Sequence, residues 1–252
     1  MMRFKQIFVS IVVMLFTVEL AAQVNIQTFY DFGSDRQNVT LTLEMFKGDR
    51  WGNTFFFVDQ DFFSREIMAD GSAGKIIGPA QSYLEISRSL NFWSESKLRD
   101  LSLQVEYNGG LCYVNQGSYG FTINSAFLAG VNYCIHNENY SNTLTLQVLY
   151  KHIVNVAQVL PMQFTAVWEM ADLFNLRGLT FRGFADIWWE RSTQNGVNKE
   201  FVFVSEPQLW YNVGRHFGAD NLHLGAEVEL ALNFANVHRF MARPCVGFKW
   251  DF

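Results

Sequence analysis

Apolar and polar residues alternate along this chain with a period of two. Val39-Thr-Leu-Thr-Leu-Glu-Met45 changes character at nearly every step. Leu101-Ser-Leu-Gln-Val-Glu-Tyr107, Asn142-Thr-Leu-Thr-Leu-Gln-Val-Leu-Tyr150 and Leu222-His-Leu-Gly-Ala-Glu-Val-Glu-Leu-Ala-Leu232 do the same. Such a pattern puts one row of side chains on each face of a strand, whereas a helix would spread the same Leu and Glu residues around its circumference. About twelve such segments lie near 24–33, 38–47, 52–62, 80–90, 99–108, 119–134, 141–151, 160–170, 177–190, 199–213, 220–233 and 238–252. Turn-rich pieces such as Lys47-Gly-Asp-Arg-Trp-Gly52 separate them, and no linker or composition shift divides the chain.

Many of these segments are near the 9–11 residues of a tilted membrane strand. A soluble sandwich shares the period but rarely needs twelve long strands. An even count lets hairpins close into a cylinder with both ends at one rim. The expected fold is therefore all-β: a single-domain transmembrane antiparallel β-barrel of about twelve strands, residues 23–252. In it, short turns at one rim alternate with longer loops at the other. The longest connection falls after the third strand, and Ser64 to Lys75 is the candidate for a loop folding over the mouth.

Composition sharpens this reading. Charged residues are 17% of the 252, and aromatic residues are 16%, including 25 Phe. Mean hydropathy is only +0.02, so the apolar content comes in short pieces. Past the N-terminus no apolar run approaches the ~20 residues of a membrane helix. The net charge of -5 argues against a nucleic acid polymer as partner. Residues 1–22 read as a signal peptide: Arg3 and Lys5, an apolar stretch from Ile7 to Val18, then Leu20-Ala21-Ala22 before Gln23. The three cysteines, Cys112, Cys134 and Cys245, suggest neither a disulfide framework nor a zinc site. They read as small barrel residues, with a Cys112–Cys134 bridge as an alternative.

The alternation also assigns faces. Charged side chains cost a few kcal/mol at the bilayer midplane, so their row faces inward. That row holds Asp31, Thr40, Thr42, Glu44, Asp59, Asp61, Glu85, Ser87, Ser102, Gln104, Glu106, Lys151, Glu169, Arg182, Asp186, Glu190, Glu206, Gln208, Glu227, Glu229, Arg243 and Lys249. The same parity puts Phe29, Phe55, Phe57, Phe184, Trp188 and Trp210 inside. Aromatic rings there either stack flat solutes, at roughly 1–3 kcal/mol per base, or fill the interior of a small barrel. The last four strands suggest a layered network at mid-height, running from Arg182 through Glu206, Gln208, Glu227 and Glu229 to Arg243. It is either a structural ion network or a constriction. The residues expected to bind solute are Phe55, Phe57, Asp59, Glu85, Arg182, Phe184, Asp186, Glu206, Glu227 and Arg243. His136, His152, His216, His223 and His238 fall at strand ends or turns, away from a well-placed Ser and acid, so no enzyme is expected. No motif asks for a metal or cofactor.

The segments Thr42-Leu-Glu-Met-Phe46, Phe55-Phe-Phe-Val-Asp59, Tyr83-Leu-Glu-Ile-Ser87 and Ala171-Asp-Leu-Phe174 through Phe181-Arg-Gly-Phe-Ala-Asp186 resemble the Tsx-like, nucleoside-specific channel-forming family. The closing Val246-Gly-Phe248 strand resembles it too, across most of the chain but without a single diagnostic motif. The resemblance implies a twelve-stranded barrel of the bacterial outer membrane with a narrow, flattened lumen that passes nucleosides. The ending Val246-Gly-Phe-Lys-Trp-Asp-Phe252 resembles the strand by which such barrels are recognised for assembly. Its partners would then be a small solute, membrane lipids and, through Phe252, the assembly machinery. The alternative is a non-conducting barrel with a surface-binding, structural or lipid-acting role.

Overall fold

A computed structural model describes residues 22–33, 36–62, 65–67, 73–75, 78–114, 119–194, 196–235 and 237–252. The expected signal peptide, apart from its last residue, lies outside the described residues. So does half of the Ser64–Lys75 loop, where a short antiparallel ribbon of Arg65–Ile67 with Ala73–Lys75 is described.

The alternating segments form the strands β1 (Gln23–Asp31), β2 (Val39–Asp49), β3 (Gly52–Phe62), β4 (Pro79–Leu90), β5 (Leu101–Val114), β6 (Tyr119–His136), β7 (Asn142–Ile153), β8 (Met162–Met170), β9 (Leu179–Gln194), β10 (in two pieces, Val197–Ser205 and Gln208–Asn212), β11 (Leu222–Leu232) and β12 (Phe240–Asp251). Each pairs antiparallel with its sequence neighbours, and β1 pairs with β12 from Asn25↔Asp251 to Asp31↔Cys245. The sheet thus closes into a twelve-stranded barrel. The backbone amide of Phe252 donates to the Val24 carbonyl at 2.9 Å, so both ends of the barrel chain meet at one rim, here called the terminal rim.

The expected 199–213 strand differs in one respect: it breaks at Glu206-Pro207. Proline has no N–H to give the ladder, so a strand tolerates it only at an edge or an irregularity. The ladder survives around it because Val228 N–H donates to the Pro207 carbonyl at 3.1 Å and Glu206 N–H to the Phe184 carbonyl at 3.1 Å. Opposite the break, Gly183 has φ +151, and a Cβ there would collide with the Glu206 carbonyl oxygen.

Register confirms the faces. On β12 the outward row includes Phe240, Val246, Phe248 and Trp250, 38–60% exposed, while Arg243 and Lys249 turn inward. Leu43, Ile86, Val105, Phe127, Val148 and Phe164 continue this exposed apolar surface round the barrel. Aromatic rings mark both rims: Trp51, Phe92 and Trp250 at the terminal rim, Tyr30, Tyr150 and Phe240 at the other. A girdle of this kind is unfavourable in water, at ~25 cal/mol per Å² of apolar surface, and fits the hydrocarbon of a bilayer. Closure leaves no unpaired edge, which lipid could not satisfy.

The buried core sits inside the cylinder. Ala126, Leu128, Leu149, Ile153, Trp188, Val202, Val204, Ala231 and Met241 form one cluster, all pointing inward from β6, β7 and β9–β12. Phe29, Trp210 and Cys245 form a second. The Cys112–Cys134 alternative fails on distance. Cys112 pairs in register with Phe121 near the rim away from the termini, and Cys134 lies near the terminal rim. At about 3.3 Å per residue that separates them by ~40 Å, against the ~6 Å of a disulfide.

Candidate functional site

All ten expected site residues face the lumen, but they divide into three settings. The first is a half-exposed hollow at mid-height. On β3, Phe55, Phe57 and Asp59 stand in a row. On β4 beside them stand Tyr83 and Glu85, with Asp59 opposite Tyr83 and Phe57 opposite Glu85. The rings make a continuous face: Phe55 and Phe57 centroids lie 6.1 Å apart, Phe57 and Tyr83 6.0 Å apart. Tyr83 donates its hydroxyl to Glu85 at 2.7 Å, and Thr42 donates to Asp59 at 2.5 Å. Glu106 on β5 takes Gln104 at 2.9 Å.

From the facing wall come Phe184, Asp186, Glu206 and Glu227. Thr165 donates to Asp186, and Gln208 donates to Glu227 at 2.6 Å. These groups stand on strands across the closed ring from Asp59, Glu85 and Glu106. Lys151 sits among them. Its ammonium is 4.1 Å from the Trp188 ring centroid and donates to Gln163 at 2.6 Å.

The second setting is nearer the terminal rim, where Arg182 crosses the lumen. Its guanidinium Nη2 donates to both oxygens of Glu44 on β2 at 2.9 Å. Asn25 donates to the same carboxylate at 2.9 Å. The third is a closed knot toward the opposite rim. There Arg243 pairs with Glu229 at 2.5 Å, and Arg36 bridges Glu229 at 2.6 Å and Asp31 at 2.5 Å.

The expected layer from Arg182 to Arg243 is present in register as far as Glu227: Arg182 stands opposite Gln208, and Gln208 opposite Glu227, to which it donates. Glu229 and Arg243 pair with each other nearer the opposite rim, and the ion partner of Arg182 is Glu44 across the lumen. The aromatic alternatives also separate by position. Phe29, Trp188 and Trp210 are 0–7% exposed and fill space. Phe55 and Phe57 border the hollow, and Phe184 lies between, packed against the apolar cluster.

Three participants were not singled out as solute contacts. Tyr83 shares the parity of Glu85 and Ser87, so the alternation already carried its signal. Lys151 stood in the inward row, but nothing local marked it as central. Arg36 lies in the connection from β1 to β2, where no period exists to assign it. One histidine does meet a serine, though among the described residues no acid is seen with the pair: Ser192 Oγ and His238 Nε2 hydrogen-bond at 2.9 Å near the far rim. Ser192 is 6% exposed. Among the described residues no cluster of His, Cys, Asp and Glu could hold a metal ion.

Comparison with known proteins adds a family. The model of DUF5020, a domain of unknown function, matches residues 22–252. The chain belongs to the DUF5020 family. No curated protein matches this family member. Among solved structures it is similar to the NanC porin, with a TM-score of 0.54 and 9% identity over 91% of this chain and 100% of that one. OccK11 (OpdR) of Pseudomonas aeruginosa gives a TM-score of 0.41 and 8% identity over 92% and 95% of the two chains. The first comparison establishes the fold, that of an outer-membrane β-barrel.

Proposed function

We propose that this DUF5020 barrel is an outer-membrane channel for passive, selective diffusion of small ring-bearing solutes, with nucleosides the first class to test. The observation that carries this reading is the hollow. An aromatic face of Phe55, Phe57 and Tyr83 stands against carboxylates from both walls. A flat amphipathic solute stacks on such a face for roughly 1–3 kcal/mol, and its hydroxyls donate to Asp59, Glu85, Asp186, Glu206 or Glu227. Several weak contacts in series suit conduction, since each must release what it holds. Arg182, anchored on Glu44, fixes the narrow lower passage, and Arg243 closes the knot above. The nucleoside preference rests on the resemblance to the Tsx-like family. Export by residues 1–22 and assembly through Phe252 complete the reading.

Liposome swelling with nucleosides, sugars and amino acids at equal concentration tests it. Nucleosides enter fastest, and a barrel that passes no solute overturns the reading. The Ser192–His238 pair favours a second, lipid-acting reading, but the burial of Ser192 keeps its hydroxyl from a lipid ester. Lipid hydrolysis by the purified protein, abolished by Ser192→Ala, would establish that reading in place of the first.

A further inference from the structure

At the terminal rim one side chain has its neighbours arranged for its charged form. His136 is the last residue of β6. It lies three residues past Tyr133, which pairs with the first residue of β5, so it stands beyond the ladder between those two strands. Its Nδ1 is 2.7 Å from the carbonyl oxygen of Asn137, and its Nε2 is 3.1 Å from Asp100 Oδ1 in the connection from β4 to β5. A carbonyl and a carboxylate are both acceptors. Neutral imidazole has one N–H and one lone pair, so it can donate to one of these oxygens and must turn its lone pair on the other. The imidazolium donates to both.

Tyr140, in the turn from β6 to β7, adds a third contact of the same sense. Its ring stacks on the imidazole with centroids 3.7 Å apart and planes 14° apart. The face of an aromatic ring attracts a cation laid on it. The backbone of Tyr140 has φ +57, a region that a bulky residue rarely takes. Tyr140 N–H donates to the Asn137 carbonyl at 3.1 Å, so one oxygen anchors both the strained residue and the ring it covers. The charged and titratable groups about His136 are Asp100 and Arg99 from the β4–β5 connection, Cys134 on β6 and Tyr140, with Glu138 exposed in the turn. Thr143, opposite on β7, is neutral. Of these groups Arg99 opposes the positive ring, from a place 3.7 Å from Asp100.

We propose that His136 is a proton-operated clasp: protonated, it ties the β4–β5 connection to the β6–β7 turn at the terminal rim, and on losing its proton it releases Asp100 and Tyr140. The Asn137 carbonyl and then Asp100 hold its proton above the ordinary imidazole range, near ~6.5. A raised folded-state value means that the clasp is fully closed below about pH 6.5 and is lost as the pH rises through the folded value. The clasp stands whether or not the barrel conducts.

The experiment uses the full barrel in micelles with nitrogen-15-labelled histidine, and His136→Gln identifies the resonances. In the native chain both ring nitrogens of His136 carry a proton at about pH 6, and the titration midpoint lies above that of a histidine in an unfolded peptide. Asp100→Asn lowers the midpoint, and Tyr140→Leu lowers it by less. Hydrogen exchange reads the release itself. After correction for intrinsic rates, protection of the amides of residues 137–142 falls at least ~5-fold between about pH 6 and pH 9, and in His136→Gln it does not change with pH. A midpoint at or below the unfolded-peptide value, or one that Asp100→Asn leaves in place, overturns the clasp. So does protection that is level with pH in the native chain, or that falls equally in His136→Gln.

Discussion

The lumen has a dry arc and a wet hollow, and they differ in what stands behind the same alternation. In the hollow the inward residues of β2 to β5 are Thr, Asp, Glu, Gln and Asn beside a few rings. In the arc, on parts of β6, β7 and β10, they include Ala126, Leu128, Leu149, Ile153, Val202 and Val204, with exposures of 0–6%, beside the polar Asn132 and Lys151. Strand sequences there are apolar on both faces, as in Phe201-Val-Phe-Val204. The arc is packed like a protein interior, the hollow like a hydrated site. A barrel of this size is therefore not filled evenly: one wall supplies cohesion so that the other can remain polar.

The largest expected effect comes from breaking the arc. Trp188→Ala removes a ring that touches the apolar cluster and caps Lys151, and should lower unfolding free energy by about 3–5 kcal/mol. Leu149→Ala should lower it by about 2–4 kcal/mol, read from urea unfolding in micelles. A neutral result for Leu149 would show that the arc is not cohesive. Next in size is the Arg182–Glu44 pair, whose side chains are 20% and 13% exposed. Arg182→Met strands Glu44 and should lower stability by about 2 kcal/mol, less than a fully buried pair because water reaches it. Adding Glu44→Leu should restore most of the loss. In the hollow, Phe57→Ala should leave folding nearly intact and reduce nucleoside preference about fivefold in swelling assays. Phe56→Ala, one residue away on the lipid face, should leave that preference unchanged. The smallest effect is expected from Arg88→Ala, which breaks a 2.7 Å pair with Asp49 on the outer surface near the terminal rim and should cost under ~1 kcal/mol.

The comparison also explains what could be read from the sequence. Wherever one face is polar, as in Val39–Met45 or Leu101–Tyr107, alternation gave strand, face and lumen residue together. Along β6 the alternation marks Asn132 as inward but says nothing at Ala126 and Leu128, which are as apolar as the lipid row. There the strand was legible but its contribution to the core was not. Partners across the lumen were illegible for a different reason. Parity states that Arg182 and Glu44 both face inward, but which wall each faces depends on the curvature and stagger of the closed sheet. Arg36 lay beyond reach, since a loop residue has no parity. The Pro207 break was visible as a residue that cannot donate, although the Gly183 that accommodates it lies on the neighbouring strand.

Every strand pair in the ring but one joins neighbours along the chain; the exception is β1 with β12. This gives the barrel an order in time. Eleven hairpin contacts can form as soon as each next strand arrives, while the ring waits for the strand made last to find the strand made first. Until then the chain has two raw edges of unpaired N–H and C=O groups, and an edge of that kind will pair with any other strand it meets. The cylinder that needs no protection once shut is, until its first and last strands meet, an open ribbon with both edges bare.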